Sequence, residues 1–407
     1  MSMASLSLPS AITYLCRLGM AFTDIAVLGR VSTDYLAGAA VGNMWMNITS
    51  CFCDRGVAAA FAVLAGQAYG AGNSRLVGLY LQQAFVLATL LSVPVMLLWW
   101  YSFPLLRVLG IAPEEARLAE EFARWSLPRM LPLNVYFILQ RWMQVQQRVL
   151  PAMVINALFL GVNFGLNIAL VHGIGTEKSL VYIPALGFKG SPIATAITQC
   201  GVCFVFLLYI ILSGAHRGTW RGWRLRRALS APRLRRMVLE QVVPLGLGAC
   251  FEEWQLETIS LMAARMGSVM VATHNATIAL FALLSSFMYG LVAATSVRVS
   301  RHLGAGRSQR ARATSFYALR VAFLFGAAVA LAFVLGRNHI GRVFSSDPEV
   351  WEQSSRIMTL TGASYFAMSF FFWAMATLSG QVRLIFPHPS SSSQVKNIIV
   401  LRYYFLI

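Results

Sequence analysis

The chain has 407 residues, 57% of them hydrophobic and only 12% charged, with a formal net charge of +18. Soluble domains carry about 25% charged residues, so this chain has too few water-facing side chains to be a soluble globular protein. The positive excess does not mark a nucleic-acid binder, because it is confined to certain loops and no nucleic-acid-binding fold pattern accompanies it.

Apolar runs fall at roughly 5–28, 34–64, 80–108, 118–140, 150–173, 190–213, 236–263, 269–297, 313–336 and 353–381. Most exceed the ~20 residues needed to cross a bilayer core. They lack two-residue alternation, which excludes barrel strands and predicts spanning helices whose backbone groups bond within their own segment. No signal peptide is evident, so the first run is read as the first span.

That first run opens on Leu6-Ser-Leu-Pro9 and carries Arg17 and Asp24. Their spacing of two helical turns puts the two on one face, which predicts a bridged pairing or an Arg17 that snorkels to the interface. An ionisable group inside a membrane helix is costly and is a functional candidate by default. The alternative for Asp24 is a boundary aspartate that caps or is merely solvated. The second run holds Asp54 and Arg55, which as helix neighbours cannot face each other and are expected to pair with other helices. It ends on Leu64-Ala-Gly-Gln-Ala-Tyr-Gly-Ala-Gly72. Gly70 and Gly72, like Gly304 and Gly306, are expected to permit tight turns at helix ends.

Loops after even-numbered runs hold Arg75; Arg141 and Arg148; eight arginines between 214 and 236; and Arg298, Arg301, Arg307, Arg310 and Arg312, with no acid among them. Loops after odd-numbered runs mix signs, with Glu114, Glu115, Glu120, Glu121, Glu177, Asp347, Glu349 and Glu352. Basic residues concentrate on the cytoplasmic side. The even loops and the N-terminus are therefore predicted to be cytoplasmic.

The seventh run opens on Val242-Val-Pro244 and carries Glu252, Glu253, Trp254 and Glu257. Glu253 and Glu257 share a face, while Glu252 is turned by about 100° from Glu253. All three carboxylates would repel one another if ionised together. Trp254 offers an aromatic face to a cation. Pairing with arginine is the alternative, the nearest in sequence being Arg265. The eighth run carries His274 near its start and ends on Thr295-Ser-Val-Arg-Val-Ser-Arg-His-Leu-Gly-Ala-Gly306. Cys16, Cys51, Cys53, Cys200, Cys203 and Cys250 all lie in predicted spans. No histidine or further cysteine pair completes a metal site, so they read as small packing residues, with no metal and no cofactor. No catalytic set or phosphate loop is visible, so an enzyme is not expected.

The endings of the second and eighth runs resemble each other, and so do the openings of the first and seventh, both at an offset of about 235 residues. Two markers in step predict an internal repeat. The expected fold is an all-α polytopic membrane protein of two repeated helical bundles. Residues 1–213 form a six-helix bundle, 214–235 a basic cytoplasmic connector, 236–382 a partial bundle of four helices, and 383–407 an atypical tail.

The combination resembles the multidrug and toxic compound extrusion (MATE) family of cation antiporters. The similarity rests on Thr23-Asp24-Ile-Ala-Val-Leu-Gly29 at the end of the first helix and Gly66-Gln-Ala-Tyr-Gly70-Ala-Gly72 at the end of the second. It continues through Gln144-Val-Gln146, Pro151, Asn167, Gly187-Phe-Lys-Gly190 and Ile193-Ala-Thr195. Further matches are Glu252-Glu-Trp254-Gln-Leu-Glu257, Ala272-Thr-His274 and Ser296-Val-Arg298, so the resemblance runs from about residue 6 to about 382. It implies two six-helix bundles facing a cleft that opens alternately to each side. It also implies a monomeric carrier in the plasma membrane or an organelle membrane, exporting a cationic or amphipathic small molecule in exchange for protons or sodium. Asp24 matches a coupling-ion carboxylate of the N-terminal bundle. In the seventh-helix motif Glu252 and Glu257 match, and Glu253 stands where the family has tryptophan. Asn167 and His274 match polar positions.

The chain departs from the family pattern. Twelve helices are the norm and ten are evident. The repeat offset would put a twelfth near 424–447, past residue 407. Residues 383–407 do not read as a span, and the tail reads as translation past a missed splice site or a truncated gene prediction, with a real but divergent C-terminus as the alternative. No Asp or Glu follows Glu352, so a carboxylate common in the tenth helix is absent, and Ala279 and Leu280 stand where many members are polar. An inactive fragment of such a carrier is therefore one alternative. A related lipid-precursor flippase is another, disfavoured by the scarcity of intramembrane arginines. Because the tenth helix lacks a carboxylate, coupling in the C-terminal bundle is expected to fall on the seventh helix, with Asp24 as the competing site.

Overall fold

A computed structural model describes residues 3–175, 184–230, 234–235, 237–266, 268–344 and 348–381. Every element among the described residues is a helix. In chain order they are α1 Ala4–Gly29, α2 Thr33–Gly70, α3 Ser74–Trp100, α4 Ser102–Val108, α5 Pro113–Ser126, α6 Met130–Val145, α7 Leu150–His172 and α8 Gly190–Leu212. After the connector follow α9 Val243–Arg265, α10 Ser268–Gly304, α11 Ser308–Phe344 and α12 Pro348–Gln381. Eight helices among the described residues are long and apolar enough to cross a membrane. The predicted spans they leave over are the charged α5–α6 segment and α9 with its glutamates. The expected tail 383–407 lies outside the described residues, as do Arg233, Arg236, Glu177 and Asp347.

The helices outrun the apolar runs because hydropathy marks only the stretch that lies in lipid, whereas a helix continues until a cap stops it. Ser32 Oγ accepts from the Asp34 amide at 3.2 Å to start α2, and Asn73 Oδ1 accepts from the Leu76 amide at 3.2 Å to start α3. The run expected at 80–108 breaks at Tyr101 into α3 and α4. The run at 118–140 bends through a short 3-10 turn, Leu127–Arg129, where Pro128 lacks an amide donor. Within α2, Phe52–Gly56 forms a π turn that carries both Asp54 and Arg55.

Two apolar cores hold the first half together. Phe61, Leu81, Tyr136, Met143 and Phe206 interlock α2, α3, α6 and α8; Leu28, Met46, Trp99, Phe122 and Met130 fill the opposite end. In the second half Met288, Ala318 and Phe372 join α10, α11 and α12, with Phe333, Met358 and Tyr365 beyond them. Leu158, Phe204, Leu212, Leu324, Leu335 and Leu360 point outward, more than half exposed. A water-soluble surface would not tolerate that belt, and a lipid-facing one requires it.

The halves cross through small residues, and the crossings are reciprocal. Gly70 of α2 packs on the Arg301 carbonyl of α10, and Gly304, one repeat length further on, packs on the Gln67 carbonyl of α2. Gln67 and Arg301 are themselves one repeat length apart. Gly56 of α2 faces Gly246 and Val242 around the start of α9. Gly290 of α10 faces Ala11 and Ser7 of α1, the first-repeat counterparts of Gly246 and Val242. A rotation exchanging the two halves produces this exchange of partners. Toward the other end of α2, Gly38 and Gly42 instead face Leu118 and Phe122 of their own half. Gly72 and Gly306, at φ +73° and +71°, make the turns that follow. Gly70 and Gly304 do not: they are helical, and their missing side chains let two backbones meet. The expectation that all four serve turns is corrected to that extent.

Candidate functional site: two intramembrane carboxylate clusters

Asp24 lies in the interior of the first half and is 2% exposed. Its Oδ1 accepts from Asn167 Nδ2 of α7 at 3.0 Å and from Thr195 Oγ1 of α8 at 2.7 Å, and its Oδ2 lies 2.9 Å from the same hydroxyl. Asn163 Nδ2 donates in turn to Thr195 Oγ1 at 3.1 Å and to Thr198 Oγ1 at 3.3 Å. The amide oxygens of Asn163 and Asn167 are buried without a hydrogen-bond partner among the described residues. The ion pairs among the described residues all join other groups. Asp24 is thus a carboxyl whose hydrogen bonds come from neutral donors, with the buried Arg129 near enough to act on it electrostatically but not paired with it, and a permanent buried charge in such a place costs several kcal/mol. Arg17 makes no direct ion pair with Asp24 among the described residues. Two helical turns put about 10 Å between them, and the Arg17 guanidinium instead stacks on Phe137 of α6, 3.9 Å from the ring centroid.

The second cluster lies on α9, which touches both halves. Glu253 is buried and forms an ion pair at 2.7 Å with Arg55 from the π turn of α2. Glu252, on the face turned from Glu253, accepts a hydrogen bond from the Tyr289 hydroxyl of α10. Glu257 is half-buried, with no hydrogen bond or ion pair among the described residues. The arginine paired with Glu253 is therefore Arg55, distant in sequence, where Arg265 was the nearest in sequence; the Arg265 side chain lies outside the described residues. Trp254 is 43% exposed, and its Nε1 donates to the Ile48 carbonyl of α2 at 3.3 Å. His274 Nε2 and Ser260 Oγ lie 3.0 Å apart, tying α10 to α9. Asp54 does not reach Arg55 and accepts from Ser50 Oγ at 2.6 Å.

The structure thus brings Asp24 and Asn167 together in one site and Glu252, Glu253, Trp254 and Glu257 in another. Thr195 and Tyr289 complete the two sites. Thr195 lies in the Ile193-Ala-Thr195 match but had no role assigned to it, and the only sequence signal of Tyr289 was a polar group inside an apolar run, which many structural residues share. Cys51 of α2 and Cys250 of α9 are buried with their sulfurs 3.0 Å apart, so this pair lies at the crossing of the halves. No cluster of three or more metal-ligating side chains occurs among the described residues.

Long apolar helices, two crossing halves and carboxyls sealed inside them define a polytopic membrane protein with an ionisable interior. The family model MatE matches residues 9–169 and 244–399. The chain belongs to this family, the MATE family. It is 28% identical to Protein DETOXIFICATION 39 of Arabidopsis thaliana over 85% of this chain and 66% of that protein. It is 27% identical to Protein DETOXIFICATION 18 of the same organism, over 88% of this chain and 74% of that one. It spans about two thirds of the length of the curated relatives it matches. Its fold superposes on the crystal structure of the eukaryotic MATE transporter AtDTX14 with a TM-score of 0.81, at 22% identity over 93% of this chain and 82% of that one.

Proposed function

We propose that the protein is a secondary antiporter that exports cationic or amphipathic small molecules against protons, by alternating access, with its N-terminus in the cytoplasm. The observation that carries this reading is Asp24, a carboxyl 2% exposed and cradled by neutral donors. Only a small ion reaches such a group, and taking up a proton removes the charge that burial disfavours. A bulky cation reaches instead the half-exposed side of α9, where Glu257 supplies charge and Trp254 an aromatic face. Coupling at Asp24 and substrate at Glu252 and Glu257 are then separate sites in facing halves. Protonation of one and occupancy of the other bias the same crossing.

The test is efflux of a fluorescent cationic dye from proteoliposomes under an imposed pH gradient. Asp24→Asn should abolish gradient-driven efflux yet retain dye binding. Glu257→Gln should weaken dye binding about tenfold, or ~1.4 kcal/mol. Normal efflux in Asp24→Asn would remove Asp24 from coupling. A second reading, sodium coupling, is favoured by the unpartnered amide oxygens of Asn163 and Asn167 beside Asp24, since a hard cation takes oxygen ligands. A sodium gradient at equal pH separates the two: efflux under that gradient alone selects sodium.

A further inference from the structure

Between α3 and the connector lies an open cleft of about 90 Å³, lined by Arg75, Gln82, Arg221, Arg224 and Arg227. It is built rather than incidental. Gln82, buried on α3, donates to the Gly222 carbonyl at 3.1 Å and accepts from the Arg224 amide at 2.7 Å. Gln83 next to it donates to the Ala228 carbonyl at 2.5 Å. Gly78, without a side chain, lets the Thr219 carbonyl approach α3, and Trp142 Nε1 donates to Thr219 Oγ1 at 3.0 Å. Neutral groups therefore fix the path of a loop that carries like charges. Arg75, Arg221 and Arg224 are exposed and form no ion pair among the described residues. The stretch 214–236 holds no acid at all. Like charges on a free loop would splay apart, and here the uncharged anchors gather them around one cleft.

We propose that this cleft is a binding site for a phosphate-bearing anion, held by the forked guanidiniums of Arg221 and Arg224 with Arg75. Guanidinium forks match phosphate oxygens in pairs, which gives geometry as well as charge. The surroundings favour a lipid headgroup over a free anion. Trp223, 63% exposed, stacks edge-on against Trp220 at 5.0 Å, and Leu225 beside it is 42% exposed. An exposed indole and a leucine next to arginines at the end of spanning helices suit the headgroup level of a bilayer. On the orientation proposed above, this face meets the leaflet that carries anionic lipid.

The experiment uses the purified full chain in neutral detergent. Binding of a short-chain phosphatidylinositol phosphate is measured by calorimetry, with short-chain phosphatidylcholine as the neutral comparison and inorganic phosphate as competitor. The anionic lipid should bind and the neutral one should not. Arg221→Gln/Arg224→Gln should weaken binding about tenfold or more, Arg221→Lys/Arg224→Lys less so, and Arg307→Gln/Arg310→Gln, on another basic loop, not at all. Displacement of the lipid by millimolar inorganic phosphate supports the site and assigns it to soluble phosphate compounds; failure to displace assigns it to lipid. Equal binding of anionic and neutral lipid by the unaltered protein would overturn the proposal whether or not the variants fold. Equal loss in the Arg307/Arg310 variant would overturn it too, because the attraction would then be a general property of the basic face.

Discussion

At the scale of single residues, charge inside the bundle divides into groups that have an ionic partner and groups that do not. Glu253 and Arg55 compensate each other across the two halves, with Arg55 still 45% exposed. Arg55→Ala should therefore lower thermal stability by an amount between the ~1 kcal/mol of an exposed pair and the ~3–5 kcal/mol of a buried one. Arg55→Ala/Glu253→Ala should recover most of that loss, and a double-mutant cycle on melting temperatures reads the coupling. Asp24 differs in forming no ion pair among the described residues, and its hydrogen bonds come from neutral donors. Thr195→Val removes a hydrogen bond to a carboxylate, worth about 1.5–3 kcal/mol. It should slow gradient-driven dye efflux at least severalfold while leaving dye affinity unchanged. A change confined to dye affinity would place Thr195 with the substrate instead. Asp24 and the α9 glutamates were legible in the sequence because a carboxylate in an apolar run is costly and so stands out. Their partners were not, because Thr195, Tyr289 and Arg55 come from helices whose rotation and depth are set only by packing.

At the scale of helices, the functional parts are crossings rather than individual spans. The positions of the spans could be read from hydropathy, but their ends and breaks could not, since Tyr101, Pro128 and the π turn at Phe52–Gly56 act through local backbone geometry. The meaning of Gly70 and Gly304 was misjudged for a related reason: a glycine near a helix end looks the same in sequence whether it turns the chain or admits a neighbouring backbone. Any side chain at Gly304 collides with the Gln67 carbonyl. Gly304→Val should therefore disfavour the closed crossing by the ~1–3 kcal/mol typical of overpacking. That is roughly a 5–150-fold shift in population. The readout is maleimide labelling of a Ser300→Cys variant, a position 0% exposed beneath Gly66. Labelling should quicken when Gly304→Val is added, and an unchanged rate would mean that this crossing does not open. Nearer the middle, mild oxidation should join Cys51 to Cys250, each thiol giving up one hydrogen to the oxidant. After trypsin cuts the arginine-rich connector, the two halves should then migrate together on a gel until a reductant is added. Separate migration would contradict the 3.0 Å approach of the sulfurs.

At the scale of the whole molecule, the exchanged contacts between positions one repeat length apart tie the repeat seen in the sequence to a mechanical consequence. Two halves that meet through equivalent surfaces at one end can rock about that contact, and the α9 carboxyls lie where α9 touches both. Which compartment the closed end faces depends on orientation, and the charge pattern supplies a prediction. The crossing at residues 66–70 and 300–304 lies at the same end as the connector, because α2, α8 and α10 all run toward the loops rich in arginine. If arginines stay on the cytoplasmic side, the end closed by this crossing is cytoplasmic. A Ser230→Cys variant lacking the other cysteines tests this, since Ser230 lies in the connector and is half-buried rather than sealed. An impermeant maleimide added to intact cells should leave it unlabelled, and labelling should appear once the membrane is permeabilised. Labelling of intact cells would reverse the orientation.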